Sequence, residues 1–343
     1  MKKNFVITLA VSLVLGLSST VLAAEAADPL DLKFDGTVTT QFRDDGFTNP
    51  TKSTNNGIKT TAIFNIDKPL TSNFDIYARS TFQRYSNTAN NFTDTATSSR
   101  ANGTFDAVGV TYKNAGTFYK IGSQAFTLGA TGLVYDNGYI GKHALPYTAL
   151  VAGKVGAFDY AALYGRTNYQ ENIPNDKFYG AQFFTNLDPQ TKVGGLWVHE
   201  HVDSLQSVGI SDLSVNVYGV NAAYQFTDEW SFVTEYISAH YNNEAFNKDN
   251  TGYVGSFKYV PDKIDSFGVS FWSVGENASA YDHNIGRLTT FWANAKGYSL
   301  SWSHQLRKDV TLNIADHIFK KINNAGSVNN DRNSFRAGVT YSF

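Results

Sequence analysis

The sequence contains no cysteine, so no disulfide can cross-link the chain and no thiolate can bind a metal ion. Only 17% of the residues are charged, and the formal net charge of -2 offers no basic surface for nucleic acid. Beyond the N-terminal segment there is no apolar run of the ~20 residues that a transmembrane helix needs, and the mean hydropathy is -0.28. These absences exclude a disulfide-stabilised domain, a nucleic-acid-binding protein and a helical membrane protein.

The N-terminal segment 1–23 has the features of a secretory signal peptide. Lys2 and Lys3 supply a positive start, an apolar stretch follows over 6–17, and Val21-Leu22-Ala23 ends in small residues. We expect cleavage between 23 and 27, which leaves a mature chain of 28–343. A membrane anchor is the alternative, but the apolar stretch is short for a spanning helix, which needs about 20 residues.

The chain is rich in residues that favour strands, with 28 glycines, 25 phenylalanines and 20 tyrosines. Apolar and polar residues alternate with a period of two in sixteen segments, as they do in strands with one buried face. The predicted strands are 30–42, 57–67, 73–85, 103–113, 117–127, 147–155, 156–166, 177–187, 191–201, 214–226, 230–241, 251–260, 264–274, 296–306, 309–320 and 334–343.

Short and long connections alternate between these segments. Tight turns such as 188–190 and 261–263 alternate with longer stretches rich in Asn, Ser, Thr and Asp, such as 242–250 and 276–295. This alternation is typical of a transmembrane barrel with short periplasmic turns and longer outer loops.

The last segment, "NSFRAGVTYSF", ends within an alternating pattern. Phe335, Val339, Tyr341 and Phe343 share one face with Ala337. Because a sheet in lipid must leave no edge unpaired, we expect this strand to pair with the first strand around 32–38. The predicted fold is all-β, a transmembrane antiparallel barrel of about 16 strands. A soluble sandwich or propeller would not explain the aromatic residues near the strand ends.

Strand alternation also assigns side chains to the lumen, because a charge facing lipid is costly and a charge facing water is not. The predicted lumen charges are Lys33, Asp35, Arg43, Lys59, Asp75, Arg79, Lys120, Asp159, Glu235, Lys258, Arg307 and Arg336. Basic residues outnumber acidic ones by eight to four in this set. The set predicts a weak preference for anions.

The C-terminal "FRAGVTYSF", the sixteen strands and the segment "YKIGSQAFTLGATGLVYDNGYIG" resemble the bacterial outer-membrane general porins, and among them the porins of diderm Firmicutes. Unlike the Firmicutes proteins, this sequence shows no peptidoglycan-binding domain before the first strand. The resemblance implies an outer-membrane protein, a homotrimer in which the second long connection (85–102) latches onto a neighbour, and recognition of the last strand, with Tyr341 and Phe343, by the barrel-assembly machinery.

The resemblance further implies that the third outer loop folds into the barrel and narrows the channel. Its counterpart, 128–147, is unusually apolar and contains glycines at 129, 132, 138 and 141, which permit close backbone approach. Arg43, Lys59, Arg79 and Lys120 would then line one wall of the constriction, and Asp136 would oppose them. The alternative is a further strand pair with a turn at Asn137-Gly138.

These features predict a water-filled channel for passive diffusion of ions and small hydrophilic solutes, embedded in outer-membrane lipid. Enzymatic activity is not expected, nor is a cofactor or a structural metal. His199 and His201 share a strand face and would need a third ligand to hold a metal ion. The alternative functions are a substrate-specific outer-membrane channel and an adhesin or structural barrel.

Overall fold

The structure is a computed structural model that describes residues 32–47, 53–86, 101–136, 146–167, 175–278, 293–323 and 331–343. The predicted signal peptide, 1–23, lies outside the described residues, as does most of the second long connection. No helix in the described part is long and apolar enough to cross a membrane.

Sixteen strands form one closed antiparallel barrel, in which each strand pairs with its neighbours around the ring. The barrel strands are β1 (Lys33–Phe47), β2 (Ser53–Pro69), β3 (Phe74–Tyr85), β4 (Ala101–Asn114), β5 (Thr117–Ser123), β8 (Tyr147–Val155), β9 (Phe158–Arg166), β10 (Lys177–Asn186), β11 (Thr191–Val202), β12 (Leu213–Gln225), β13 (Trp230–Tyr241), β14 (Thr251–Tyr259), β15 (Asp265–Val274), β16 (Ala295–Arg307), β17 (Val310–Lys321) and β18 (Asp331–Ser342). Every predicted strand has its counterpart, and the predicted fold class is confirmed.

Among the described residues, four short elements lie outside the barrel sheet. Strands β6 (Thr127–Leu128) and β7 (Tyr135–Asp136) pair only with each other. Two 3-10 helices, Asp203–Val208 and Glu244–Phe246, follow β11 and β13. We refer to the end of the barrel with two- to five-residue connections as the turn end and to the opposite end as the loop end.

The barrel closes where β18 pairs with β1, with Val38 opposite Tyr341. Phe343 and Gly36 exchange two backbone hydrogen bonds of 3.0 and 3.1 Å. The Phe343 ring lies over Gly36, where an added Cβ would come within 2.7 Å of its Cζ, and contacts the rings of Phe34 and Phe64 at centroid distances of 5.7 and 5.9 Å. Glycine at this position therefore makes room for the terminal ring at the seam.

The outer face of the barrel carries the large apolar side chains that alternation predicts. Near the loop end of β8 to β16 the outward positions form an aromatic girdle of residues between 36% and 59% exposed: Tyr147, Tyr164, Tyr179, Trp197, Tyr218, Tyr236, Tyr253 and Tyr298. Tyr and Trp prefer the interface between lipid and water because their rings are amphipathic. The apolar outer face with its girdle fits a lipid environment.

Side chains at the turn end explain why the turns contain Asp and Thr. Asp188 accepts hydrogen bonds from the backbone N–H groups of Gln190 and Thr191, each at 2.7 Å. Asp262 caps its turn in the same way through Ile264 N at 2.7 Å. The side-chain hydrogen bond from Thr191, together with the backbone bonds, holds the pKa of Asp188 below its ordinary value. These local bonds fix the hairpins without long-range contacts.

The seam generates a first prediction, since it depends on a terminal aromatic ring. Replacing Phe343 with alanine removes the contacts with Phe34 and Phe64 and uncovers Gly36. We expect unfolding in SDS at a lower temperature, with a loss on the order of 1 kcal/mol or more for the aromatic contacts. Phe267→Ala is the matched control, because Phe267 lies on β15, away from the seam, with similar exposure, 43% against 40%. An equal loss in both variants would contradict a special role for the terminal ring.

Candidate functional site

A segment of 13 residues, 124–136, leaves the sheet after β5 and contacts the inward-facing side of the barrel wall. Its Phe126, Leu128, Leu133 and Val134 are buried to 4% exposure or less. They belong to one apolar cluster with inward side chains of the wall, among them Phe178, Val198, Val217, Ile237 and Val254. Burial of both apolar surfaces stabilises this placement, because neither surface then meets water. We call 124–136 the inward segment.

The inward segment contains a strand pair, but it differs from the pair with a turn at Asn137-Gly138 that the sequence suggests as an alternative. β6 and β7 pair through Thr127 with Asp136 and Leu128 with Tyr135, and residues 129–134 connect them. The turn considered at Asn137-Gly138 lies outside the described residues, with the rest of 137–145. The side chain of Asp136, the predicted acidic group of the constriction, is also outside the described part.

Glu235 of β13 anchors the inward segment. Its carboxylate accepts a 2.8 Å hydrogen bond from the backbone N–H of Thr131 and a second from the Thr131 hydroxyl. Gln182 of β10 adds another anchor by accepting from Gly129 N at 2.9 Å. Glu235 is 1% exposed. The sequence places Glu235 in the lumen, and its register agrees, but the inward segment covers its carboxylate.

Gly129 is the position where this anchor requires glycine. Its φ is +91°, a left-handed value that residues with a Cβ rarely adopt. An added Cβ would also overlap Oε1 of Glu235. At Gly129, the lack of a side chain is therefore what lets the inward segment approach the barrel wall.

Arg43, the first basic residue predicted for the constriction, has an acidic partner on its own strand. Its Nε lies 2.7 Å from Oδ2 of Asp45, and both side chains face inward, at 8% and 0% exposure. On β18 the cross-strand neighbour of Arg43 is Arg336. Asp45 therefore offsets part of a local excess of positive charge that the sequence-based count includes in full.

Arg79 has a stronger partner, Asp106. Two parallel hydrogen bonds of 2.8 and 2.9 Å join the guanidinium to the carboxylate, and the Thr81 hydroxyl donates to the same carboxylate at 2.9 Å. Bidentate pairs of this kind are the strongest charge-assisted contacts of arginine. At this point β4 has one residue more than its neighbour β3. Arg79 lies opposite Ala107 and the next residue, Ser80, lies opposite Phe105, so the ladder skips Asp106 and its side chain reaches inward. This β-bulge interrupts the alternation, which is why sequence alternation misses Asp106.

The two lysines predicted for the same wall lie over aromatic rings. Lys120 Nζ is 4.0 Å from the centre of the Tyr77 ring, and Lys59 Nζ is 5.5 Å from that of Tyr85. The Tyr77 hydroxyl donates to the backbone oxygen of Ser123 at 3.2 Å, next to the start of the inward segment. Such cation–π contacts keep the lysines against the wall rather than extended across the lumen.

Strand register adds charges that the sequence-based count leaves out. The added inward acids are Asp45, Asp67, Asp106 and Glu200, and the added bases are Lys113, Lys154, Lys192 and Lys321. Four of each leave the difference in charge unchanged. Several form ion pairs along the wall, such as Lys113 with Asp75 at 2.5 Å and Lys192 with Asp159 at 3.4 Å.

Other predicted residues lie away from this region. Arg307 forms a 2.9 Å ion pair with Asp309 at the turn end. His199 and His201 share an outward-facing parity, and His201 contacts Asp203 at 3.1 Å. Across the described ranges, no three side chains of the metal-binding types lie close enough together to hold an ion.

Comparison with solved structures gives the same architecture. A triple mutant of the Rhodopseudomonas blastica porin superimposes with a TM-score of 0.55 at 10% identity, over 91% of this chain and 100% of that chain. A double mutant of the same porin gives 0.56 and 10% with the same coverage. A further match, described as "Asymmetric conductivity of engineered proteins", gives 0.56 and 11% over 91% and 100%. The chain therefore has a porin-like fold. No protein-family model and no curated protein matches the sequence.

The close fit of Gly129 against Glu235 generates a second prediction. Gly129→Ala should displace the inward segment, because the substitution adds backbone strain of about 1 kcal/mol and a steric clash. Limited digestion of the folded barrel with chymotrypsin should then cleave within 124–136, as located by mass spectrometry. Gly116→Ala is the control, since Gly116 has a similar φ of +81° with open space around it. Protection of 124–136 in the Gly129 variant would contradict this account of the anchor.

Proposed function

We propose that the protein is an outer-membrane porin, a water-filled channel for passive diffusion of ions and small hydrophilic solutes. The observation that carries this proposal is a closed barrel of sixteen strands with an apolar outer face and many polar inward residues. Sixteen strands enclose a lumen too wide for side chains alone to fill, so water occupies it. The inward segment would then set the width of the channel.

Three further observations support the proposal. The fold matches that of a bacterial porin over 91% of this chain and 100% of that chain. One matched structure is described by its conductivity. The N-terminal signal-peptide pattern and the C-terminal aromatic strand fit export to the outer membrane, where the last strand would be recognised by the barrel-assembly machinery. Catalysis is not part of the proposal.

Wall charges set the ion preference that we propose, a weak lean toward anions. Inward bases exceed inward acids, but Arg43 and Arg79 are offset by Asp45 and Asp106 at contact distance. A permeating ion senses the sum of each pair, because the two charges are 2.7 to 2.8 Å apart, much closer than the screening length of about 8 Å at physiological salt. The preference should therefore be smaller than the bare count of bases implies.

The third prediction tests the channel and its wall charges together. Purified protein in a planar bilayer should give discrete ohmic conductance steps. Under a salt gradient, Asp106→Asn should shift the reversal potential toward anion preference, because it uncovers the charge of Arg79. Arg79→Ala should shift it toward cations, and the double variant should return close to the original value. A folded barrel without conductance would contradict the channel, and shifts of the opposite sign would contradict the wall-charge argument.

We also propose a homotrimer, and the outer face near the seam supports contact between copies. Asp316 on β17 lies outward between Leu300 and Phe335, although a charge facing lipid is costly. Asp44 on β1 also lies opposite Phe335, and one of its carboxylate oxygens is buried with no hydrogen-bond partner among the described residues. The loop-end aromatic girdle runs over β8 to β16, and on β17 and β1 the outward positions near the seam carry Asp316 and Asp44 instead. A neighbouring copy would cover them.

The fourth prediction concerns this contact. Arg84 on β3 is exposed and outward, so a ring of copies can bring it to Asp44 of the next one. Asp44→Lys or Arg84→Glu should weaken the oligomer in unheated SDS gels, and the double charge exchange should restore part of it. Asp228→Lys in an exposed turn is the control. A wild-type protein that is monomeric in mild detergent would contradict the trimer.

A further inference from the structure

Strand β16 lines the lumen with three serines. Ser299, Ser301 and Ser303 occupy successive inward positions, while Tyr298, Leu300 and Trp302 face outward. Ser303 donates to the Asn313 side chain at 2.8 Å. The inward side of this strand is therefore a column of hydroxyl groups, of which Ser301 and Ser303 are accessible and Ser299 is buried at 8% exposure.

The next four strands around the ring add a row of threonines. Thr311 on β17 lies directly opposite Thr340 on β18, Thr340 opposite Thr39 on β1, and Thr39 opposite Thr61 on β2. All four side chains are partly exposed on the inward side, and the hydroxyl oxygens of Thr39 and Thr340 are 3.0 Å apart. We call these four threonines and the three serines of β16 the hydroxyl wall.

Part of the hydroxyl wall lies across the ring from the inward segment. The segment is anchored to β10 and β13 through Gln182 and Glu235. In the barrel order β10 is eight strands from β18 and β13 is six strands from β1, whereas β13 is only three strands from β16. A solute that passes the inward segment therefore has the threonines of β18 and β1 on its other side.

The charges next to the hydroxyl wall are partly offset. Arg43, two strands from Thr311 and four residues along β1 from Thr39, is paired with Asp45 at 2.7 Å. Lys59, two residues from Thr61 on β2, lies over the Tyr85 ring, and Arg336 on β18 donates to the Ser334 hydroxyl. Hydroxyl groups form the continuous row of polar groups across these four strands, and each both donates and accepts a hydrogen bond.

We infer that the hydroxyl wall is a binding face for neutral polyhydroxylated solutes, the chemical class of the sugars. A sugar hydroxyl also donates and accepts, so the solute exchanges water for wall hydroxyls without desolvating a charge. Several weak contacts in series let it enter and leave, which transport requires. This inference deepens the proposed channel function and rests on it.

The test removes hydroxyl groups without changing side-chain shape. The triple variant Thr39→Val, Thr311→Val, Thr340→Val is nearly isosteric and leaves the width of the lumen unchanged. We expect entry of neutral pentoses and hexoses into proteoliposomes to fall about fivefold relative to KCl conductance, which corresponds to about one neutral hydrogen bond. Unheated SDS gels verify that the variant is folded.

The chain supplies a matched control on its outer face. Thr40 on β1 and Thr60 on β2 lie opposite each other on the outer face of the barrel, and their hydroxyl oxygens are 3.2 Å apart. Thr40→Val, Thr60→Val should leave sugar entry unchanged. An equal fall in both variants, or unchanged sugar entry in the lumen variant, would overturn the inference while the channel stands. So would entry of the cationic sugar glucosamine as fast as that of glucose. Absence of KCl conductance in the unmodified protein would instead remove the channel and the inference with it.

Discussion

Backbone hydrogen bonding in an apolar surrounding is the constraint on which the rest of the structure depends. Lipid offers no partner for an N–H or C=O group, so each must find one within the sheet. A sheet satisfies this demand only when its first and last strands meet, and here β1 and β18 do so through paired residues from Thr37 to Phe47 on β1. Once the sheet is closed, alternation divides all side chains between lipid and lumen. The outer aromatics and the inner ion pairs both follow from that division.

The inner surface differs in chemistry around its circumference. Ion pairs and cation–π contacts lie mainly on β1 to β5 and recur on β8, β9 and β11. Apolar side chains lie mainly on β9 to β15 and reach Phe319 on β17. Hydroxyl groups line β16 to β18 and the adjoining strands. The apolar part is covered by the inward segment, because an apolar wall in a water-filled lumen would be costly to leave exposed. The polar parts need no cover. In the proposed channel, this asymmetry would place the solute path against polar groups on one side.

Period-two alternation and the turn residues predict the strands and the closed barrel from the sequence, because both depend on local pattern. Alternation assigns the wrong face, or no face, to residues at a β-bulge or beyond the predicted strand ends. Asp106 enters the lumen through a β-bulge that no local pattern marks, and Asp45 lies beyond the predicted end of the first strand. The covered state of Glu235 depends on a contact between residues 104 positions apart, which no single-strand pattern contains. The chemistry of the candidate site was therefore predictable in type but not in its pairings.

The seam also has a consequence for how the chain reaches its native state. Of the sixteen strand pairings in the barrel, fifteen join strands that follow one another along the described barrel, and only the seam brings together residues such as Thr39 and Thr340, 301 positions apart. Hairpins fixed by capped turns can form early, because they close small loops at low entropic cost. The whole entropy of ring closure then falls on a single late step. A circularly permuted chain, with 343 joined to the first strand and new ends at the turn around Asp188, would move that step to β10 and β11 and keep the same interior.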